Sequence, residues 1–197
     1  MNFTDRLVRA IEARGTLLCV GLDPDPDRLP AGVPQTPEGV LEFLLRIIET
    51  TREHAAAYKP NAAFFESMGH EGMWILEEIR RAIPGDHIAI LDAKRGDISN
   101  TARMYARAAF DRMGFDAITV NPYLGRAALL PFLERPDRGA FVLCRTSNPG
   151  ADEVQMVRCG GVPLYIAIAR MVAEMDGTNA GLVVGATAPE ALVAVRE

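Results

Sequence analysis

One stretch carries most of the chemistry open to this sequence: Leu91-Asp92-Ala93-Lys94-Arg95-Gly96-Asp97-Ile98. It follows an apolar run, His87-Ile88-Ala89-Ile90, that reads as a buried strand, and a helical pattern opens after it near Ser99. Side chains two residues apart on a strand point to the same side, so Asp92 and Lys94 share a face. Gly96 permits a sharp turn, which leaves Asp97 just past the strand end. The outcome is an ammonium held among carboxylates at the C-terminal tip of a strand. Buried charge is costly unless paired, so such a cluster usually has a purpose. A fixed ammonium stabilises a carbanion as its charge develops and then supplies the proton that quenches it. The bland reading of a bare Asp-x-Lys pair is an ion pair that closes a strand end.

The apolar patterning supplies the elements that position these groups. Residues 3–13 form an amphipathic helix with Phe3, Leu7, Val8 and Ile11 on one face. Leu17 to Leu22 is a continuous apolar run, expected as a strand buried on both faces, and it ends in Asp23-Pro24-Asp25-Pro26. Thr36-Pro37-Glu38 starts a helix, with Thr36 as the cap and proline at the first helical position. A second strand runs from Ala55 into Lys59-Pro60-Asn61. Further helices are expected around 71–83, near 99–113, at 125–133 and from Pro163 to Met175, with Trp74 off the apolar stripe of the first. Strands at 117–120, 141–144 and 182–185 lie between them, and a long loop separates Gly150 from Pro163. Thr187-Ala188-Pro189-Glu190 has the form of a capping box and opens a last helix.

Strand then helix, six times and without hairpin signals, is the pattern of a parallel α/β fold. No linker divides residues 1–197, which read as a single domain. A doubly wound sheet and an eight-stranded barrel both fit the alternation. The polar residues favour the barrel: Asp23, Lys59, Asp92, Lys94, Asn121, Thr146 and Ser147 fall at or just past the C-terminal ends of five successive strands. In a TIM barrel those ends converge on one mouth. No Gly-x-Gly-x-x-Gly turn follows the first strand, which weakens the dinucleotide-binding alternative.

The composition, 49% hydrophobic and 24% charged, suits a soluble globular chain. A net charge of −5 argues against nucleic acid or an anionic membrane as the main partner. An anionic substrate would then be held by a few placed cations. Three cysteines without zinc-type spacing suit a reducing cytoplasm. Cys19 and Cys144 read as buried thiols and Cys159 as a loop thiol. His54, His70 and His87 lack metal spacing. The N-terminus lacks a signal-peptide core, and no apolar run approaches membrane-spanning length.

The octet resembles the active-site signature of orotidine 5′-phosphate decarboxylase in its longer bacterial branch. Val20-Gly21-Leu22-Asp23, Tyr58-Lys59-Pro60-Asn61, Ala63-Phe64-Phe65-Glu66 and Arg145-Thr146-Ser147-Asn148-Pro149-Gly150 match that branch in the same order. The likeness runs from about Leu18 to the end of the chain, although Asp-x-Lys-x-x-Asp alone is shared by sister enzymes of the barrel superfamily. The resemblance implies a TIM (β/α)8 barrel that converts orotidine 5′-phosphate to UMP and CO2 in cytoplasmic pyrimidine biosynthesis. It implies a homodimer with shared active sites, and no metal or organic cofactor. The family's alternating array falls on Lys59, Asp92, Lys94 and Asp97. Lys94 is implied as the proton donor to C6, with Asp92 against the departing carboxylate and keeping Lys94 protonated. Asp97, Ile98 and Thr101 are expected to reach the partner's site, Asp23 and Lys59 to bind ribose hydroxyls, and Ser147 to hydrogen-bond the pyrimidine.

Taken singly, Asp23 reads equally as a turn residue, Lys59 as a surface lysine, Ser147 as a turn cap, and Thr101 and Arg95 as solvated neighbours. The departure from the pattern is at the end, where six strand–helix units stand for the barrel's eight. The family's phosphate-binding motifs after the seventh and eighth strands find no match, so the reading is of a C-terminally incomplete barrel. Two alternatives stay open: a sister sugar-phosphate decarboxylase or aldolase that uses Mg2+, and an inactive nucleotide-binding fragment.

Overall fold

The computed structural model describes residues 1–175, 177 and 179–197. Strands β1 (Cys19–Leu22), β2 (Ala57–Pro60), β3 (Ile88–Arg95), β4 (Ala117–Val120) and β5 (Gly139–Arg145) each pair in parallel with the next in chain order. A separate antiparallel pair, β6 (Arg158–Cys159) and β7 (Val162–Pro163), intervenes before β8 (Ala180–Val184) joins β5 in parallel. Among the described residues the main sheet has six strands, and it curls into a half-barrel with β1 and β8 at its edges. The helices in chain order are α1 (Phe3–Arg14), α2 (Pro37–Thr51), α3 (Ala62–Ser67), α4 (Gly69–Ala82), α5 (Ser99–Arg107), α6 (Arg126–Leu133), α7 (Ala151–Gln155), α8 (Leu164–Ala173) and α9 (Pro189–Ala194).

Strand alternation divides the apolar residues into two layers. Tyr58, Ala89, Leu91, Ile118, Val120 and Val142 pack outward in one cluster with Leu44, Ile75, Ile79, Ala106 and Leu129 of the helices. Their neighbours Ala57, Ile88, Ile90 and Ala117 pack inward with Phe3, and Phe141 lies against them. With a side-chain period of two, the next inward positions along β2, β3 and β4 are Lys59, Asp92 and Thr119. The inner face is therefore apolar at the base and polar at the C-terminal mouth. Phe3 of α1 plugs the base, so close to β5 that a Cβ on Gly139 would lie 2.3 Å from its ring. Asp116, only 2% exposed, ties that end together. It accepts the Ala89 amide at 2.9 Å and ion-pairs with Arg6 at 2.5 Å, Arg138 at 3.3 Å and Arg80 at 3.7 Å.

The Thr36 cap forms as expected, its hydroxyl accepting the Gly39 amide at 3.2 Å with Pro37 in the first turn. Several expectations need correction. The first strand is not buried on both faces: it is an edge strand, and Cys19 and Gly21 are exposed. Cys19 is accordingly no buried thiol. Cys144 is buried, its thiol donates to the Tyr165 carbonyl at 3.2 Å, and burial pushes it up to about 11. The expected long loop after Gly150 folds into α7 and the β6–β7 pair. Helix α3, whose short Ala-Ala-Phe-Phe sequence gives too few turns for a periodic signal, precedes α4. The helix expected over 99–113 passes into a π turn at Ala108–Arg112. The capping box at Thr187 does not form, since the residue at the cap of α9 is Ala188 and Pro189 opens the helix.

Candidate active site

Three charged side chains meet at the mouth. The Asp92 carboxylate accepts Lys94 Nζ at 2.7 Å on Oδ1 and Lys59 Nζ at 3.0 Å on Oδ2. Thr119 of β4 donates its hydroxyl to the same Oδ1 at 2.8 Å. Asp92 is buried, whereas the Lys94 side chain is 49% exposed and open to a ligand. Burial pushes the Asp92 carboxyl up, but the bonds from Lys94, Thr119 and Lys59 outweigh it and hold the group below its ordinary value. Burial pulls the Lys59 ammonium down, and the bond and charge of Asp92, with the charge of Asp23, carry it above its ordinary value. Each partner thus favours the charged form of the other.

The octet is not regular strand throughout. Register slips between Leu91 and Arg95 where β3 faces β4, and Lys94 has φ 49°, left-handed for a non-glycine residue. Gly96 is not at positive φ. Its small size serves close approach instead: a Cβ there would meet the Asn121 carbonyl at 3.0 Å. Arg95 is more than a solvated neighbour, since it ion-pairs with Glu66 and lies 5.1 Å over the Tyr105 ring.

The remaining expected residues divide. Asp23 stands at the same mouth, where it accepts the Asn61 amide at 3.1 Å. Ser147 is exposed past β5, in a loop that Gln155 of α7 anchors through the Thr146 amide at 2.9 Å and hydroxyl at 2.6 Å. Asp97 does not join the lysine cluster. It accepts the Ile98 amide at 2.8 Å and, among the described residues, ion-pairs with no cation. Ile98 is 65% exposed, and Thr101 is exposed on the first turn of α5. Sequence reasoning missed Thr119 and Gln155, and quoted Glu66 in a motif without giving it a role. A threonine interrupting the apolar Ala117-Ile118-Thr119-Val120 run was the available signal for the first.

A carboxylate clamped between two ammoniums, one of them half exposed, can hold an anionic substrate and deliver a proton. The family model described as orotidine 5′-phosphate decarboxylase / HUMPS matches residues 16–197. The chain belongs to this family. The orotidine 5′-phosphate decarboxylase of Thermomicrobium roseum is 50% identical over 201 residues, covering 100% of this chain and 72% of that one. The Halorubrum lacusprofundi orotidine 5′-phosphate decarboxylase is 52% identical over 200 residues, covering 100% and 71%. The structure of Leishmania donovani OMP decarboxylase superposes with a TM-score of 0.91 at 47% identity, covering 100% of this chain and 75% of that chain. The decarboxylase family is one of lyases, and the half-barrel is a TIM-barrel architecture. No helix among the described residues is long and apolar enough to cross a membrane.

Proposed function

We propose that this chain decarboxylates orotidine 5′-phosphate to UMP and CO2 in de novo pyrimidine biosynthesis, in the cytoplasm and without a metal or organic cofactor. The observation that carries the reading is the Lys59–Asp92–Lys94 cluster at the mouth of a barrel of this family. The bond from C6 to the substrate carboxylate breaks, CO2 leaves, and the electron pair stays on C6. Lys94 faces that charge as it forms and transfers its ammonium proton to C6, then regains one from water. Asp92 stands against the substrate carboxylate and fixes Lys94. Asp23 and Lys59 bind ribose hydroxyls, and Ser147 hydrogen-bonds the pyrimidine. Residues 1–197 act as one domain built on the half-barrel. In the homodimer, Asp97, Ile98 and Thr101 complete the partner's site, which fits the exposure of Ile98 and Thr101 and the lack of an ion pair to Asp97 among the described residues.

The test is CO2 release from orotidine 5′-phosphate by the wild-type chain and by Lys94→Ala. The variant is expected to lose at least about 10³-fold in kcat while its circular dichroism stays unchanged. Near-normal turnover in a folded Lys94→Ala protein sinks the assignment. A second reading, favoured by the Asp-x-Lys-x-x-Asp spacing that sister enzymes share, is a Mg2+-dependent sugar-phosphate lyase. Loss of turnover on chelation would select it.

A further inference from the structure

We propose that Thr119 is a positioning residue: its single hydroxyl locks the left-handed backbone of Lys94 to the carboxylate of Asp92, and so aims the ammonium of Lys94. The inference rests on Lys94 being the proton donor.

The strand register shows why a residue of β4 has this task. Leu91 pairs with Ile118 and Arg95 with Val120, so Asp92, Ala93 and Lys94 of β3 together face Thr119 alone on β4. A bulge of this size leaves backbone groups without their usual sheet partners and bends the strand. The Lys94 amide finds its partner in a side chain instead, donating to Thr119 Oγ1 at 2.9 Å. An amide N–H can only donate, so the hydroxyl proton of Thr119 is directed elsewhere, to Asp92 Oδ1 at 2.8 Å. That same Oδ1 accepts Lys94 Nζ at 2.7 Å.

The bonds close a ring. Lys94 N–H points to the Thr119 hydroxyl, the hydroxyl to Asp92, and Asp92 receives the far end of the same Lys94 side chain. The two linked bonds, amide to hydroxyl and hydroxyl to carboxylate, polarise one another. The φ of 49° at Lys94 is strained for an L residue, and such a conformation persists only where surrounding contacts over-determine it. Thr119 is 4% exposed, so water does not replace its hydroxyl. The other charged groups around Asp92 are Lys59 from β2 and Lys94 from β3, with Asp23 acting on Lys59 and the Cys19 thiol of β1 feeling Asp92.

Thr119→Val has nearly the same shape and no hydroxyl, and Thr119→Ser keeps the hydroxyl. Two measurements need no turnover: the titration midpoint of the Asp92 carboxyl by carbon NMR, and hydrogen exchange of the Lys94 amide. In Thr119→Val the midpoint is expected to rise, because one bond favouring the charged form is gone, and the Lys94 amide to exchange faster. In turnover, kcat is expected to fall about 10²-fold, the scale of an ångström misplacement, with KM changed little. The acid limb of the kcat–pH profile should move to higher pH. Thr119→Ser is expected to restore most of each. An Asp92 midpoint and a Lys94 exchange rate unmoved in Thr119→Val overturn the proposal, as does a Thr119→Ser protein that behaves like Thr119→Val. Should Thr119→Val unfold, Thr119→Ala replaces it as the hydroxyl-free member of the comparison. Full activity in Lys94→Ala would instead remove the proton-donor reading, while the NMR measurements still decide the link between Thr119, Asp92 and Lys94.

Discussion

Asp92 and Lys59 set opposite ends of the pH range over which the mouth keeps its geometry. The native Asp92 carboxyl titrates below its ordinary value. Its contribution to stability is therefore present above the unfolded value near pH 3.9 and is lost as pH falls through the native one. Lys59 is raised, so its contribution is full below about 10.4 and is lost as pH rises through its native value. The contribution from this pair should be flat between about pH 5 and 9. Urea unfolding of wild type and Asp92→Asn across pH checks this. The variant is expected to lose part of the acid decline, and an identical acid slope in both proteins contradicts the coupling. At this scale spacing alone was informative for Asp92 and Lys94, because residues two apart on a strand are neighbours in space. The role of Thr119 was not legible, because it depends on which strand lies beside β3 and in what register.

At the scale of elements, the inward series Ile88–Ile90–Asp92 on β3 turns a sequence alternation into an axial gradient from apolar base to charged mouth. Helix α1 is the plug on which that base depends. Phe3 is 3% exposed and meets Phe141 edge-on at 6.1 Å, and Gly139 leaves the room its ring occupies. Gly139→Ala is expected to destabilise by about 1–3 kcal/mol through overpacking. Phe3→Leu in the same chain should recover part of that loss, as a double-mutant cycle of thermal melts would show. Strictly additive losses would mean that the two positions do not share space. The amphipathic helices and the Thr36 cap were legible because their signals are local. The bulge at Asp92–Lys94 was not, since no residue type announces a left-handed lysine.

For the whole molecule, the half-barrel gathers Asp23, Lys59, Asp92 and Ser147 from four strand ends onto one rim. Half-buried Asp97 and exposed Ile98 and Thr101 instead lie beyond β3. If those residues serve a partner's site, Lys94→Ala and Asp97→Ala carry complementary defects. Each alone is expected to be nearly inactive, while mixed dimers hold one site with both native residues. Mixing the two proteins should therefore return turnover to about a quarter of the wild-type value if dimers reassort freely, one native site among four in the statistical mixture. No recovery in dimers verified as mixed by mass spectrometry counts against the cross-subunit role.

The sequence by itself determined the class of the fold, a parallel α/β alternation of strands and helices, because hydrophobic period and end signals are properties of short stretches. It also determined the residues of the charged octet and, through the motifs flanking it, the family. Tertiary structure alone decided that β1 is an edge with Cys19 exposed, that Gly150 to Pro163 folds into α7 and a β pair, and that Thr187 caps nothing. It alone placed Thr119 between the backbone and the charge of Lys94. The physical reason is common to all of these: burial, register and hydrogen-bond partners are fixed between segments distant in the chain. The stretch that sets Lys94 and Thr119 25 positions apart contains no trace of the bond that joins them.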